Sequence, residues 1–213
     1  MKRLFDFGLV IPAFFVLSPL LLVIAVVIYA TMGLPIFFRQ IRPGLEGRPF
    51  TIYKFRTMTN EQDENRNLLP DAERLTRFGF FLRKTSIDEL PELWNVLKGD
   101  MSLVGPRPLL MQYLDRYTPE QSRRHEVKPG ITGWAQIHGR NSTTWEERFA
   151  RDLWYINHHS FFLDCWIIVL TLVILFRGDG GVETARQLGE YMGPNKEPNK
   201  SGVVSNSNAE EGN

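Results

Sequence analysis

Three scarcities narrow what this chain can be. Cysteine occurs once, at Cys165 in 213 residues, so no internal disulfide forms and a reducing compartment suits the fold. Surplus charge is also missing: the formal net charge is +1, which gives no global attraction to nucleic acid and leaves anion binding to local clusters. Histidine occurs four times and never at metal-ligand spacing. His158 and His159 are adjacent, would point apart on a helix, and read as surface or capping residues. With 43% apolar residues the chain has the composition of a folded domain plus an extra element.

A fourth absence is local. No residue between Asp6 and Arg39 is charged, and the run FGLVIPAFFVLSPLLLVIAVVIYATMGLPIFF is far longer than a signal-peptide core and belongs in a bilayer. A single span is the default reading. Against it stand Ser18 and Pro19 near the centre, where the proline frees a carbonyl and the serine hydroxyl bonds back to the preceding turn, favouring a sharp bend. The flanks agree: Lys2 and Arg3 precede the run, Arg39, Arg42 and Arg48 follow it, and the positive-inside rule assigns both ends to the cytoplasm. Two legs of about 11 residues each reach about 16 Å, half of a 30 Å hydrocarbon core.

Within LRKTSIDELPELWNVLKG two carboxylates, Asp88 and Glu89, stand beside Arg83 and Lys84. A helix begun at Asp88 keeps Pro91 in the first turn, sets Leu90, Leu93, Trp94 and Leu97 on one buried face, and stops at Gly99. Acidic residues are ordinary helix starts. At a phosphate site they would repel the ligand unless a metal or the neighbouring cations offset them. Both readings stay open on this stretch alone.

Upstream, IFFRQIRPGLEGRPFTIYKFRTM reads as two short strands about Pro43-Gly44 and Gly47, with Lys54 and Arg56 on one side of the second. In GPRP two proline rings hold Arg107 in an extended backbone. KPGITGWAQIHGRN carries Lys128 and Arg140 among glycines that serve turns or close backbone approach. A helix is predicted from about Trp145, with Phe149, Leu153 and Ile156 on its face. It leads into FFLDCWIIVLTLVILF, too short after Asp164 to span and expected as a buried or interfacial helix. From Gly193 the composition predicts a disordered tail.

In this order and combination the motifs resemble the bacterial sugar transferase family, the monotopic phosphoglycosyl transferases that start bacterial glycan assembly. The resemblance runs from Lys2 to about Phe176. It implies an α/β fold, mostly helical with a small β-hairpin: a re-entrant membrane helix-break-helix at 1–38 and a compact cytosolic catalytic domain with interfacial helices at 39–192; the disordered tail at 193–213 is not part of the family pattern. It further implies that a UDP-sugar and polyprenyl (undecaprenyl) phosphate react, with Mg2+, to give polyprenyl diphosphate sugar and UMP on the cytoplasmic face of the bacterial inner membrane. Asp88 would be the nucleophile and form a covalent phosphosugar, with Glu89 as magnesium ligand or orienting group beside it. Lys54, Arg56, Arg83, Arg107, Lys128 and Arg140 would bind substrate. Nucleic acid is not an expected partner, and a homodimer is left open.

Two other classes fit the residues less well. A non-catalytic membrane-anchored scaffold would not need the intact Asp88-Glu89 pair. A retaining glycosidase needs carboxylates facing each other at about 5 Å, which adjacent helical residues, about 100° apart, do not do.

Overall fold

The structure, a computed structural model, describes residues 2–138 and 143–177. The apolar run forms α1 (Lys2–Met32). Next comes the antiparallel hairpin β1 (Phe37–Pro43) and β2 (Pro49–Phe55), in which Phe38 faces Lys54 and Arg42 faces Phe50. Two short helices, α2 (Asp71–Arg74) and α3 (Arg77–Lys84), lead to α4 (Glu92–Lys98). Strands β3 (Ser102–Val104) and β4 (Gly130–Thr132) pair in parallel, separated in sequence by α5 (Pro119–Ser122). Three helices close the described chain: α6 (Trp134–Ile137), α7 (Trp145–His158) and α8 (Phe161–Phe176).

The expected mostly helical fold with a small hairpin is therefore present, with a second pair of short strands. Gly105 and Gly130 explain why that pair closes. A Cβ on Gly130 would lie 2.1 Å from the Gly105 nitrogen, and one on Gly105 would lie 2.4 Å from the Lys128 carbonyl oxygen. These glycines serve backbone against backbone. The Arg107 loop thus leaves from a point fixed to the Lys128 segment.

α1 is the described helix long and apolar enough to cross a membrane. Residues 3, 7, 10, 14, 17, 21, 24 and 28 fall at alternating spacings of four and three, one narrow stripe of a helix. Val10, with Phe14 and Leu17, packs on Ile52, Leu93, Val96 and Met101; Ile24 and Ile28, with Leu21, pack on Phe55 and Leu82. Phe15, Val16, Leu22, Val23 and Val26 lie exposed on the rest of its surface.

Polar contacts tie both ends of α1 to the same domain. Lys2 donates to Asp164, Arg3 donates to the carbonyls of Val96 and Leu97, and the buried Asp6 carboxylate accepts from Ser102 Oγ at 2.9 Å and from the Leu103 N–H at 3.1 Å. At the other end Arg56 donates to the carbonyls of Met32 and Gly33. The predicted break does not divide the run, since α1 is helical throughout with Pro12 and Pro19 inside. The local chemistry is as expected all the same. Pro19 has no N–H for the Phe15 carbonyl four residues back, and Ser18 Oγ donates to that oxygen at 2.8 Å. A local hydroxyl bond replaces the missing backbone bond, so helical geometry continues through the proline.

α8 is an apolar helix of 16 residues, as predicted too short for a straight span. Much of it is exposed, including Phe162, Trp166, Leu172 and Phe176. Asp164, which interrupts the run, is buried on Tyr155 and Lys2. His158 and His159 are exposed.

Candidate active site

The Asp88-Glu89 pair stands on a reversal between α3 and α4. Thr85 closes α3, its hydroxyl donating to the Phe81 carbonyl at 2.8 Å, and Ser86 takes a left-handed φ of 57°. Ile87–Glu89 then form a single 3-10 turn, and α4 begins only at Glu92. The predicted helix start at Asp88 is thus four residues early. Pro91 has no N–H to reach the Ile87 carbonyl, so Leu90 takes that oxygen at the shorter spacing, 3.2 Å. Gly99 ends α4 as expected, at φ 94°. The buried face differs as well: Glu92, Leu93, Asn95 and Val96 are inside, while Trp94 is half exposed.

Asn95 fixes this turn against the hairpin. Fully buried, its side chain donates to the Thr51 carbonyl at 2.7 Å and accepts from the Tyr53 N–H at 3.1 Å, filling the place of a neighbouring strand. That holds α4 against β2 and brings Lys54 to the acidic turn. Lys54 Nζ lies 2.5 Å from Glu89 Oε1 and 3.2 Å from Glu92 Oε1. Arg107 grips Glu89 from the other side, Nη2 on Oε1 and Nη1 on Oε2 at 3.3 Å.

These contacts set the charge states. Burial alone would raise the Glu89 pKa, but Arg107 and Lys54 outweigh it and hold the carboxyl well below the usual range. Asp88 is buried yet makes no hydrogen bond or ion pair among the described residues. Burial, and then the charge on Glu89, push its pKa up to about 6. Glu92 is pushed up to about 7, mainly by burial. Burial works against the Lys54 charge, but Glu89 and then Glu92 prevail, so its pKa is raised. Adjacent carboxylates in unlike environments thus differ in charge state: Glu89 is a fixed anion, and Asp88 is a carboxylate with a raised pKa and no partner among the described residues.

The other predicted residues separate. Arg83 donates to Thr57 Oγ1 at 2.9 Å and is one of the cations that favour ionised Asp88. Arg56, predicted as a substrate ligand, is buried with its guanidinium on the last carbonyls of α1; it lies past the end of β2, where it no longer shares a face with Lys54. Lys128 Nζ and Arg3 gather around Gly99, at the end of α4 opposite the acidic turn. Arg140 and the predicted tail lie outside the described residues.

Three features escaped the sequence pattern. Glu92 had a signal, a charge three positions after Glu89 on a face shared with Leu93 and Val96. The Arg124–Asp152 pair had none, being set by the docking of α7; its members lie 2.7 Å apart with side chains 2% and 4% exposed. Arg42 reads in the sequence only as a charge flanking the apolar run, yet it is half-buried near Arg107 and Glu92.

Among the described residues no group of three or more His, Cys, Asp or Glu could hold a metal ion. Asp88 is the open carboxylate, whereas Glu89 is already held by two cations. Such a donor set suits a hard ion that takes one or two carboxylates and fills its remaining positions with phosphate oxygens and water, the habit of magnesium.

The profile of the family described as bacterial sugar transferase matches residues 1–178. An uncharacterized sugar transferase of Bacillus subtilis, EpsL, is 56% identical over 184 residues, which is 86% of this chain and 91% of that one. A UDP-glucose:undecaprenyl-phosphate glucose-1-phosphate transferase of Xanthomonas campestris is 46% identical over 183 residues, 81% of this chain and 38% of that one. A UDP-N-acetylgalactosamine-undecaprenyl-phosphate N-acetylgalactosaminephosphotransferase of Aeromonas hydrophila is 41% identical over 187 residues, 84% of this chain and 44% of that one. The chain thus spans most of EpsL and less than half of the two longer relatives.

Proposed function

The chain belongs to the bacterial sugar transferase family, and on that premise we propose that it is a phosphoglycosyl transferase. It moves a sugar 1-phosphate from a UDP-sugar to polyprenyl phosphate, releasing UMP. The observation that carries this reading is Asp88, a buried carboxylate with no partner among the described residues, beside a Glu89 held ionised by Lys54 and Arg107.

Asp88 attacks the β-phosphorus of the UDP-sugar. The new bond is Asp88 oxygen to phosphorus, the broken bond is β-phosphorus to bridging oxygen, and UMP leaves with that oxygen. The lipid phosphate then displaces Asp88 and restores the carboxylate. One diphosphate bond is exchanged for another, so no ATP is consumed. Lys54 and Arg107, held by Glu89, present fixed positive charge beside the reacting phosphates, stabilisation already organised before the substrate arrives. Asp88 would hold magnesium together with substrate oxygens; the ion, when bound, neutralises charge that builds on the phosphates.

α1 is proposed as a re-entrant membrane segment, entering and leaving the bilayer on the cytoplasmic side. Its support is the attachment of both ends to one domain, together with Ser18 and Pro19 at mid-helix. Straight, its 31 residues would reach about 46 Å, more than a 30 Å hydrocarbon core. Exposed apolar residues of α8 would rest in the interface.

Detergent-purified full-length protein, incubated with undecaprenyl phosphate and a panel of UDP-sugars, should release UMP with at least one of them. Release should fall to background in excess EDTA and return with magnesium. No UMP from any UDP-sugar would reject the transferase reading; full activity in chelator would reject the metal.

A further inference from the structure

Burying a guanidinium is costly unless acceptors surround it. Three other buried or half-buried arginines conform: Arg56 has two helix carbonyls, Arg107 has Glu89, and Arg124 has Asp152. Arg42 does not. At the end of β1 it is half-buried, its one hydrogen bond among the described residues runs from Nη2 to Gln40 Oε1 at 2.6 Å, and no carboxylate pairs with it there. Its Nε is enclosed without a partner, as are those of Arg56 and Arg124, but unlike them it has no backbone carbonyl or carboxylate among the described residues for its other donors.

The surroundings sharpen the anomaly. Burial, and then the nearby charge of Arg107, lower the Arg42 pKa to about 10. Glu92, the carboxyl in range, is itself pushed up to about 7 by burial and is shared with Lys54. Tyr113 and Tyr117 complete the surroundings. A guanidinium with unused donors, its charge disfavoured by a second guanidinium nearby, makes a poor structural contact. The two make a good receptor for a ligand with two linked phosphates, since the planar fork of Arg42 can take a pair of phosphate oxygens while Arg107, held on Glu89, adds fixed positive charge beside them.

We propose that Arg42 is a substrate-binding residue that takes the diphosphate of the sugar nucleotide together with Arg107. The role rests on the transferase reading above, and it adds a residue to the site. Arg42 belongs to the nucleotide half-reaction and not to the lipid phosphate. Its uncompensated charge also lowers the stability of the ligand-free protein in exchange for affinity.

The test uses full-length protein in detergent and two variants. Arg42→Met keeps the unbranched stem and removes the charge, and Arg42→Lys keeps the charge and removes the fork. Direct UDP binding by calorimetry should weaken at least tenfold in Arg42→Met and by less in Arg42→Lys. The KM for the UDP-sugar that supports turnover should rise in parallel, while the KM for polyprenyl phosphate stays within twofold. Without ligand, Arg42→Met should melt no lower than wild type. Unchanged UDP affinity, or a KM change confined to the lipid phosphate, would overturn the assignment. If Arg42→Met does not fold, Arg42→Lys decides by the same two measurements. Wild-type protein that binds UDP and releases no UMP would refute the transferase reading and leave the Arg42 affinity comparison intact.

Discussion

Arg124 donates from Nη2 to the backbone oxygen of Arg107 at 2.8 Å, while the same nitrogen lies 2.7 Å from Asp152 Oδ2. A buried ion pair from Arg124 to Asp152 on α7 therefore holds the backbone of the residue that grips Glu89. Proline on either side restricts the loop, and Arg124 selects where it sits.

Breaking this pair on one side should be worse than removing it. Arg124→Met leaves Asp152 charged and buried and should cost about 3–5 kcal/mol, whereas Arg124→Met with Asp152→Leu should recover much of that loss. Denaturant melts of the two variants check this. Activity should not recover with stability, because the Arg107 carbonyl still lacks its donor. A double variant as active as wild type would show that the pair has no part in positioning Arg107.

Asp88→Asn should lose at least about 1,000-fold in turnover, because the amide cannot form the acyl phosphate. It should fold, and melt somewhat higher than wild type, because a charge buried without a partner has been removed. Intact-mass analysis after mixing wild type with UDP-sugar alone should show an added sugar phosphate that is missing in Asp88→Asn. UMP release near the wild-type rate from the variant would end the case for a covalent aspartate.

The raised carboxyls fix a pH dependence. Asp88 must be ionised to attack, so kcat/KM should be flat above about pH 6 and fall tenfold per pH unit below it. Stability should run the other way. Asp88 and Glu92, with ordinary values of 3.8 and 4.5, are raised to about 6 and about 7 in the fold. Half-buried His125, lowered from 6.5 to about 4, opposes them but is one group against two, so between about pH 5 and 7 the native state binds more protons than the unfolded chain, and stability falls as pH rises. The melting temperature should therefore be higher at pH 5.5 than at 7.5, with the difference reduced in Asp88→Asn and Glu92→Gln. A melting curve that rises with pH across this window would contradict the assignment.

Topology is open to labelling. In a Cys165→Ser background, one cysteine added before Met1 and another at the exposed Arg48 should both resist an impermeant maleimide outside intact cells. Replacing Ser18 and Pro19 by alanine restores an N–H donor to the Phe15 carbonyl, so an unbroken backbone ladder favours a straight span and the N-terminal cysteine becomes reactive in part of the population. Labelling of that cysteine in the parent would establish a true span.

What the sequence made legible was local. The uncharged run, the two hairpin strands, the stop at Gly99 and the short apolar helix after Asp164 are written in residues close together in the chain. Ser18 and Pro19 announced their own hydrogen bond. The site's charges were legible as residue types and not as partners. Glu89 meets Lys54 across 35 positions and Arg124 meets Asp152 across 28, separations that no periodicity encodes. Arg56 shows the cost of reading by type, since its place in KFRTM suggested a phosphate ligand and its surroundings make it the cap of α1. Trp94 fell outside the core because α4 turns its polar Glu92 and Asn95 inward to meet Lys54 and β2.

The stripe along α1 makes the anchor and the enzyme one folding unit. Ile52, Phe55, Leu82 and Met101 complete their packing only against Val10, Ile24 and Ile28, so cutting the chain before Arg39 would expose the domain's own interior to water, at several kcal/mol against a net stability of about 5–15 kcal/mol. The segment is therefore no tether that can be exchanged for another. The partners of Asp6 and Lys2 lie far along the chain, at Ser102 and Asp164. The core therefore closes only once Ser102 and Asp164 have been made, and a soluble catalytic fragment should not be obtainable by removing α1.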